Sequence, residues 1–323
     1  MDKFDFMRIL EKQLGSMGFE TRKEIMDEYD RHIEEALEEG HDEHEIIARL
    51  GDPKEIGREI IEMETEESSP PGRSLTDSKQ FSEIRPEEIN SFDIKGNDLN
   101  IYIEKGNHFD MNYHGQDKQG DFDFYQQGNT FVIKHSRSQR RTFKSFIINR
   151  KVTSDSVHII WPYSIETLHI DTDQGKLSVS GMDIEHLKLE SDMGRISGKH
   201  LNCRQADFKS QMGSIQIEDS AMSRISANTQ MGAITLKRCM ADEYVLDTQM
   251  GRISVVDMNP ESDVNASSQM GAVKVQYKAH PVETLVLAKA NFGTVVNAFE
   301  ENRVMSVKHT AKFSSEMGSV KVT

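Results

Sequence analysis

Four carboxylates, Asp171, Asp173, Glu190 and Asp192, fall as two acid-x-acid pairs 19 residues apart. If each pair sits on a strand and the strands stack, equivalent carboxylates lie ~4.8 Å from one another. Such a patch could hold Ca²⁺ through its oxygens, or supply the acid and base that cleave a glycosidic bond. Like charges that close call for a counterion. The plainer expectation is that all four splay into water beside Lys176, Lys188 and Arg195.

A second group carries the opposite charge. Lys134, Arg137, Arg140, Arg141, Lys144, Arg150 and Lys151 have no Asp or Glu among them, and Phe143, Phe146, Ile147 and Ile148 are interleaved. Cations mixed with aromatics suit anionic lipid headgroups, envelope polymers or RNA. A solvated hairpin with an apolar inner side needs no ligand at all. A third expectation is intramolecular: the segment docks on the acidic N-terminal region as a salt-sensitive latch.

The remaining reactive types are expected to be structural. His32, His41 and His44 stand near Asp42 and Glu43 at a helix junction, where polar residues cap rather than ligate. Cys203 and Cys239 lie two repeats apart, ~10 Å if the repeats stack, too far for a disulfide. They are read as buried, idle thiols. No catalytic residue, metal site or cofactor is assigned.

The charge is unevenly placed. Residues 1–67 hold 22 Asp/Glu against 9 Lys/Arg, whereas the rest of the 323-residue chain holds 32 against 30. The acidity therefore belongs to the N-terminal region, and a general affinity for nucleic acid is not expected. No run approaches the ~18–20 apolar residues of a membrane span. The start, Met-Asp-Lys-Phe-Asp-Phe, lacks the apolar core of a secretory leader. The expected location is cytoplasmic, or peripheral at the membrane or cell surface.

The elements that would position these groups fall into four stretches. Residues 1–65 read as four short helices. Phe6, Met7, Leu10 and Leu14 share one face; Ile25, Met26, Tyr29, Ile33, Ala36 and Leu37 share another. Asp42 with Glu45 is a capping-box pattern, and Asp52-Pro53 supplies an N-cap and N1 proline. The strongly acidic outer faces suit a protein partner. Residues 66–80, with Pro70-Pro71-Gly72, read as a linker. Residues 81–165 alternate as strands at 92–94, 99–103, 109–113, 121–125, 130–134 and 157–161, with turns at Gly96-Asn97-Asp98, Gly106-Asn107 and Gly128-Asn129.

Residues 166–323 repeat. Gly175, Gly194, Gly213, Gly232, Gly251, Gly271, Gly293 and Gly318 are spaced by 19, 19, 19, 19, 20, 22 and 25 residues. A period near 20 predicts a β-solenoid, a mostly β fold in which each coil buries its apolar face against its neighbours. A tight corner needs glycine for φ > 0 or for close backbone approach. The Ser/Thr column three residues before it offers hydroxyls to the backbone or the next coil. The methionine immediately before it is expected to fill the interior of the bend, and the Gln column two before it to stack amide on amide. The last coil, at Met317–Thr323, has no visible cap, which leaves end-to-end pairing into a homo-oligomer open.

Two stretches resemble known families. Glu38 to Ile56, with Leu50-Gly51-Asp52-Pro53 at its centre, resembles the bacterial HAAS-type helical signalling domain. From about residue 90 to the end, Trp161-Pro162 and the repeated Thr/Ser-x-x-Gly-x-Ile/Leu/Val-x-Val pattern resemble the bacterial putative-adhesin domain of unknown function found in LiaX- and YvlB-like envelope-stress proteins. The resemblance implies a non-enzymatic role in sensing or answering envelope damage, through contact with membrane, peptides or partner regulators. The alternative reading of the residues is a polysaccharide-binding or polysaccharide-active β-helix that uses the carboxylates of the first two coils.

Overall fold

The structure is a computed structural model that describes residues 2–16, 22, 26, 29, 30, 33, 37, 42–50, 52–57, 73–74, 79–115, 122–136, 155–299 and 306–323. It divides into two compact units, one holding the N-terminal helices and the other the strands.

In the head, α1 (Lys3–Gln13) starts at Asp2, whose side chain accepts from the Asp5 N–H. Phe6, Leu10 and Leu14 recur every four residues and are buried, joined by Ile33, Ile46 and Ile47 in one small core. The capping residues behave as their types dictate. Asp42 Oδ1 accepts from the Glu45 N–H at 3.2 Å to open α2 (Glu43–Leu50), and Asp52 Oδ1 accepts from the Lys54 N–H at 2.9 Å. His32 and His41, and the side chain of His44, lie outside the described residues.

The second unit begins inside the stretch expected to be a linker: β1 (Arg73–Ser74) pairs with a later strand, and α3 (Lys79–Ser82) follows. Then come β2 (Ser91–Lys105), β3 (Asp110–His114), β4 (Phe122–Gln127), β5 (Thr130–His135) and β6 (Asp155–Trp161). The Gly96-Asn97-Asp98 turn signal is overridden. β2 runs straight through it, and its two halves pair in different sheets. The repeats supply a long and a short strand each: β7 (Ile165–Gln174) and β8 (Leu177–Ser180), β9 (Asp183–Ser191) and β10 (Ile196–Lys199), β11 (Asn202–Ser210) and β12 (Ile215–Glu218), β13 (Ala221–Thr229) and β14 (Ile234–Lys237). They continue with β15 (Met240–Thr248) and β16 (Ile253–Met258), β17 (Asp263–Ser268) and β18 (Val273–Tyr277), β19 (Thr284–Phe292) and β20 (Val295–Asn297), β21 (His309–Met317) and β22 (Val320–Val322).

Long strands stack on long strands and short on short, all parallel, with residues 19 apart in register, such as Leu187 beside Ala206 and Ile225. Large and small side chains alternate along the core columns: Phe208 lies between Leu189 and Ala227, all three buried. The solenoid is therefore a continuous core bounded by parallel sheets, as the repeat predicts.

The order of coils at the ends is not sequential, and this corrects the expectation of eight coils stacked in chain order. β2 pairs with β5 and β6 on one side and with β7 and β8 on the other. The coil-like strand expected to lead into the solenoid is thus threaded inside it. At the far end, β17 and β18 pair with β21 and β22, and only then come β19 and β20. The last coil of the chain does have a cover: the coil before it in sequence.

Candidate functional site

Each coil has a glycine corner where the long strand hands over to the short one. The five glycines from Gly194 to Gly271 do not adopt a left-handed backbone; closeness is what demands them. A Cβ on Gly194, Gly213, Gly232, Gly251 or Gly271 would lie 1.7–1.9 Å from the carbonyl oxygen of the preceding corner glycine. The hydroxyl column locks this corner. Ser210 Oγ accepts from the Gly213 N–H at 2.8 Å, and Thr229 Oγ1 donates to Gly213 O at 3.2 Å. Ser315 Oγ donates to Gly271 O at 2.9 Å, which holds the threaded last coil in place.

Met193, Met212, Met231, Met250, Met270 and Met317 do not fill the bend. They point out of it, 43–54 % exposed. With the corner glycine backbones packed this tightly the interior has no room for another side chain, so the residue before glycine faces solvent. The Gln column beside them is less of an amide ladder than expected. Among the described residues its one side-chain bond to the next coil runs from Gln211 Nε2 to Asp192 Oδ1, at 2.6 Å.

The four sequence-predicted carboxylates do assemble on this edge, with neighbours that the chain order conceals. Asp171 stands in register with Glu190 on one side and with Lys95 of β2 on the other. Burial raises the pKa of Glu190, but Lys188 at 2.5 Å, Lys209 at 3.4 Å and His169 at 3.5 Å bring it below the usual carboxylate range. Asp173 goes the other way: burial first, then repulsion from Asp192, Asp171 and Asp98, raises its pKa. Asp98, from the threaded β2, was missed because it is remote in sequence. Among the described residues no group of three or more His, Cys, Asp or Glu side chains is arranged to hold a metal ion.

The basic segment starts at the end of β5, where His135 stands in register with Gly96 of β2. Its neck is built: buried His135 Nε2 lies 3.1 Å from Asp155 Oδ2, to which the Tyr113 hydroxyl donates at 2.7 Å. Lys134 faces Asp123 across the β4–β5 pair and sits over the Tyr125 ring, 5.5 Å from its centroid. Its hydrogen bond to Tyr125 raises its pKa. Arg137, Arg140, Arg141, Lys144, Arg150 and Lys151 lie outside the described residues.

A second corner lies at the end of the short strand. Gly181, His200, Asp219, Arg238 and Asp257 occupy it with φ between 51° and 69°, the left-handed region that costs a residue with a Cβ on the order of 1 kcal/mol. His and Asp tolerate it best. Arg238 is held there by Asp219 of the coil before, with contacts of 2.5 and 2.9 Å. Beyond this corner each long strand takes two outward residues in succession, as at Glu185-His186, Arg204-Gln205 and Ser223-Arg224, and so bends. Between corner and bend lies a narrow face carrying two adjoining depressions. One, of about 660 Å³, is lined by Asn90, Glu166, Asp183, Glu185, Arg204 and Ser223 among others. The other, of about 260 Å³, shares Asn202, Cys203 and Ser223 with it and runs on to Asp242 and Asn259. The two cysteines are free and buried, and burial pushes their thiols up, to about 12 for Cys203 and about 11 for Cys239. They are poor nucleophiles at neutral pH.

The family model of Toastrack DUF4097 matches residues 89–323, from just before β2 to the last residue of the solenoid. The chain belongs to the Toastrack DUF4097 family. A HAAS model matches residues 5–59, the helical head, so both resemblances read from the sequence hold. The Toastrack domain is also similar to two solved structures. A putative cell adhesion protein from Clostridium sporogenes is 11 % identical, with 74 % of this chain and 95 % of that chain covered at a TM-score of 0.27. A putative adhesin from Bacteroides fragilis is 16 % identical, with 75 % and 94 % covered at a TM-score of 0.36. Comparison with curated proteins finds no match. No helix among the described residues is long and apolar enough to cross a membrane.

Proposed function

We propose that the protein is a non-enzymatic binding component of a bacterial response to envelope damage. The HAAS head contacts a regulatory protein, and the Toastrack domain receives an extended envelope ligand. The observation that carries this reading is the pair of adjoining depressions from Asn90 to Asn259, which run along the solenoid across successive coils. An elongated, open groove lined by amides, hydroxyls and charges of both signs suits a chain-like ligand read at several points, as a glycan or extended peptide would be. Compact ligands are mostly enclosed.

Co-sedimentation of the full-length protein with cell-wall polymer, with anionic vesicles and with neutral vesicles tests it. Retention on cell-wall polymer is expected, and Ser223→Arg, which fills the groove where the two depressions meet, abolishes it. Retention of Ser223→Arg equal to the unaltered protein removes the groove from the proposal. Loss instead in Arg140→Glu/Arg141→Glu assigns the contact to the basic segment. The gathering of carboxylates on the glycine edge, with Asp171 in register with Glu190 and Asp98 and Asp192 beside Asp173, favours a second reading, in which the acidic patch grips sugar hydroxyls. Asp173→Asn/Asp192→Asn then loses glycan binding while Ser223→Arg keeps it.

A further inference from the structure

The outward methionines are anchored in an unbroken row. The N–H of Met212 donates to Asp192 O at 2.8 Å, that of Met231 to Gln211 O at 2.8 Å, and that of Met250 to Gln230 O at 2.8 Å. Met270 donates to Gln249 O and Met317 to Gln269 O, both at 2.7 Å. Chain order would place Phe292 between Met270 and Met317. The threading of the last coil moves it out, because Met317 stacks on the Met270 coil and Phe292 pairs beyond Met317 at the end of the row. Six thioethers, Met193, Met212, Met231, Met250, Met270 and Met317, therefore follow one another coil by coil.

Packing does not account for them. Side chains about half exposed contribute little burial, and leucine or a polar residue would serve a solvated corner as well. What methionine alone offers among apolar residues is a soft sulfur donor on three rotatable bonds. A metal–sulfur bond is about 2.3 Å, the length zinc makes to sulfur. Two sulfurs on opposite sides of one ion are then ~4.6 Å apart, close to the ~4.8 Å step between coils. Uncharged thioethers suit Cu(I) rather than harder divalent ions, and Ag(I) shares that softness. The flanking column is mostly amide, with Asp192 and Glu316 near its two ends.

We propose that the row Met193–Met212–Met231–Met250–Met270–Met317 is a binding site for a soft monovalent metal ion, Cu(I) or Ag(I), held between sulfurs of adjacent coils. It is independent of the groove and of the envelope ligand. Met240 is a built-in control, since it is 54 % exposed but stands between Ala221 and Asn259 rather than in a methionine row.

The test is titration of the full-length protein, methyl-labelled at methionine, with Ag(I) in chloride-free buffer, and with Cu(I) against a colorimetric chelator. Cys203→Ser/Cys239→Ser provides the background that removes the thiols. At one to three equivalents the methyl signals of the row shift while those of Met240 and buried Met182 and Met258 stay. Met193→Leu/Met231→Leu/Met270→Leu keeps the apolar surface and the fold, leaves no two sulfurs of the row on adjacent coils, and weakens affinity for either ion at least tenfold. The proposal is overturned if the row does not shift, if Met240 titrates alongside it, or if the leucine variant binds as well as its parent.

Discussion

The two ends of the Toastrack stack are finished differently. At the N-terminal end, β3 and β4 pair antiparallel with β6 and β5, and β1 pairs antiparallel with β3. An aromatic cluster fills the core behind them: the ring of buried Trp161 lies 4.8 Å from Phe92 and 5.1 Å from Phe109. At the C-terminal end, nothing among the described residues pairs with the outer edge of β19 and β20. Leu287 and Val296 there are 45 % and 50 % exposed. An antiparallel strand stops the stack because its hydrogen-bond pattern does not offer the next parallel coil a template. An open parallel edge still does. The repeat thus encodes the interior, and the ends are specified by residues that do not repeat.

The largest contrast is between aromatic residues at the two ends. Trp161→Ala empties the N-terminal core and is expected to cost about 3–5 kcal/mol, whereas Phe292→Ala, at a residue already 78 % exposed, changes stability by less than ~0.5 kcal/mol. Chemical denaturation of both variants decides it, and equal losses would mean that the C-terminal end is covered. A smaller contrast sets middle against end. Gly232→Ala drives a methyl to 1.8 Å from Gly213 O with coils on both sides, and Gly293→Ala to 2.0 Å from Gly318 O with a free side to yield towards. About 3 kcal/mol is expected for the first and about 1 kcal/mol for the second, read as thermal midpoints.

The smallest effect concerns the acids near the N-terminal end of the glycine edge. Asp173 has a raised pKa in the fold, so the folded state holds its proton to higher pH than the unfolded chain does. That contribution is fully present below the unfolded pKa and is lost as pH rises through the folded one. Asp173→Asn should therefore stabilise the domain at pH 7 and not at pH 3, whereas Gln230→Asn in the middle of the same column shows no such pH dependence.

Much of this was legible in the chain. The glycine period gave the coil, the Ser/Thr column its hydroxyl bonds to the corner, and Asp42 and Asp52 the helix caps, since each follows from local chemistry. Three features were not. The methionines were read as core because they are apolar, yet a corner position faces outward whatever occupies it. The left-handed corner has glycine in one coil alone, at Gly181, and His200, Asp219, Arg238 and Asp257 in the others form no repeated signal to announce it. The threading of coils is a long-range choice, and the trace of it at the C-terminal end was the lengthening of the last two spacings to 22 and 25 residues, the extra chain needed to step over a coil and return.

That threading bears on how the protein is made. β21 and β22 leave the ribosome after β17 to β20, yet they sit between the two coils those strands form. This stretch therefore does not assemble in order of synthesis: among the described residues, β19 and β20 pair with no strand but β21 and β22. A prematurely ended chain would leave the Gly271 coil bare and the segment after it unpaired. Strands β21 and β22 thus work as a late-arriving wedge, and this stretch of the fold closes only once residue 322 has been translated.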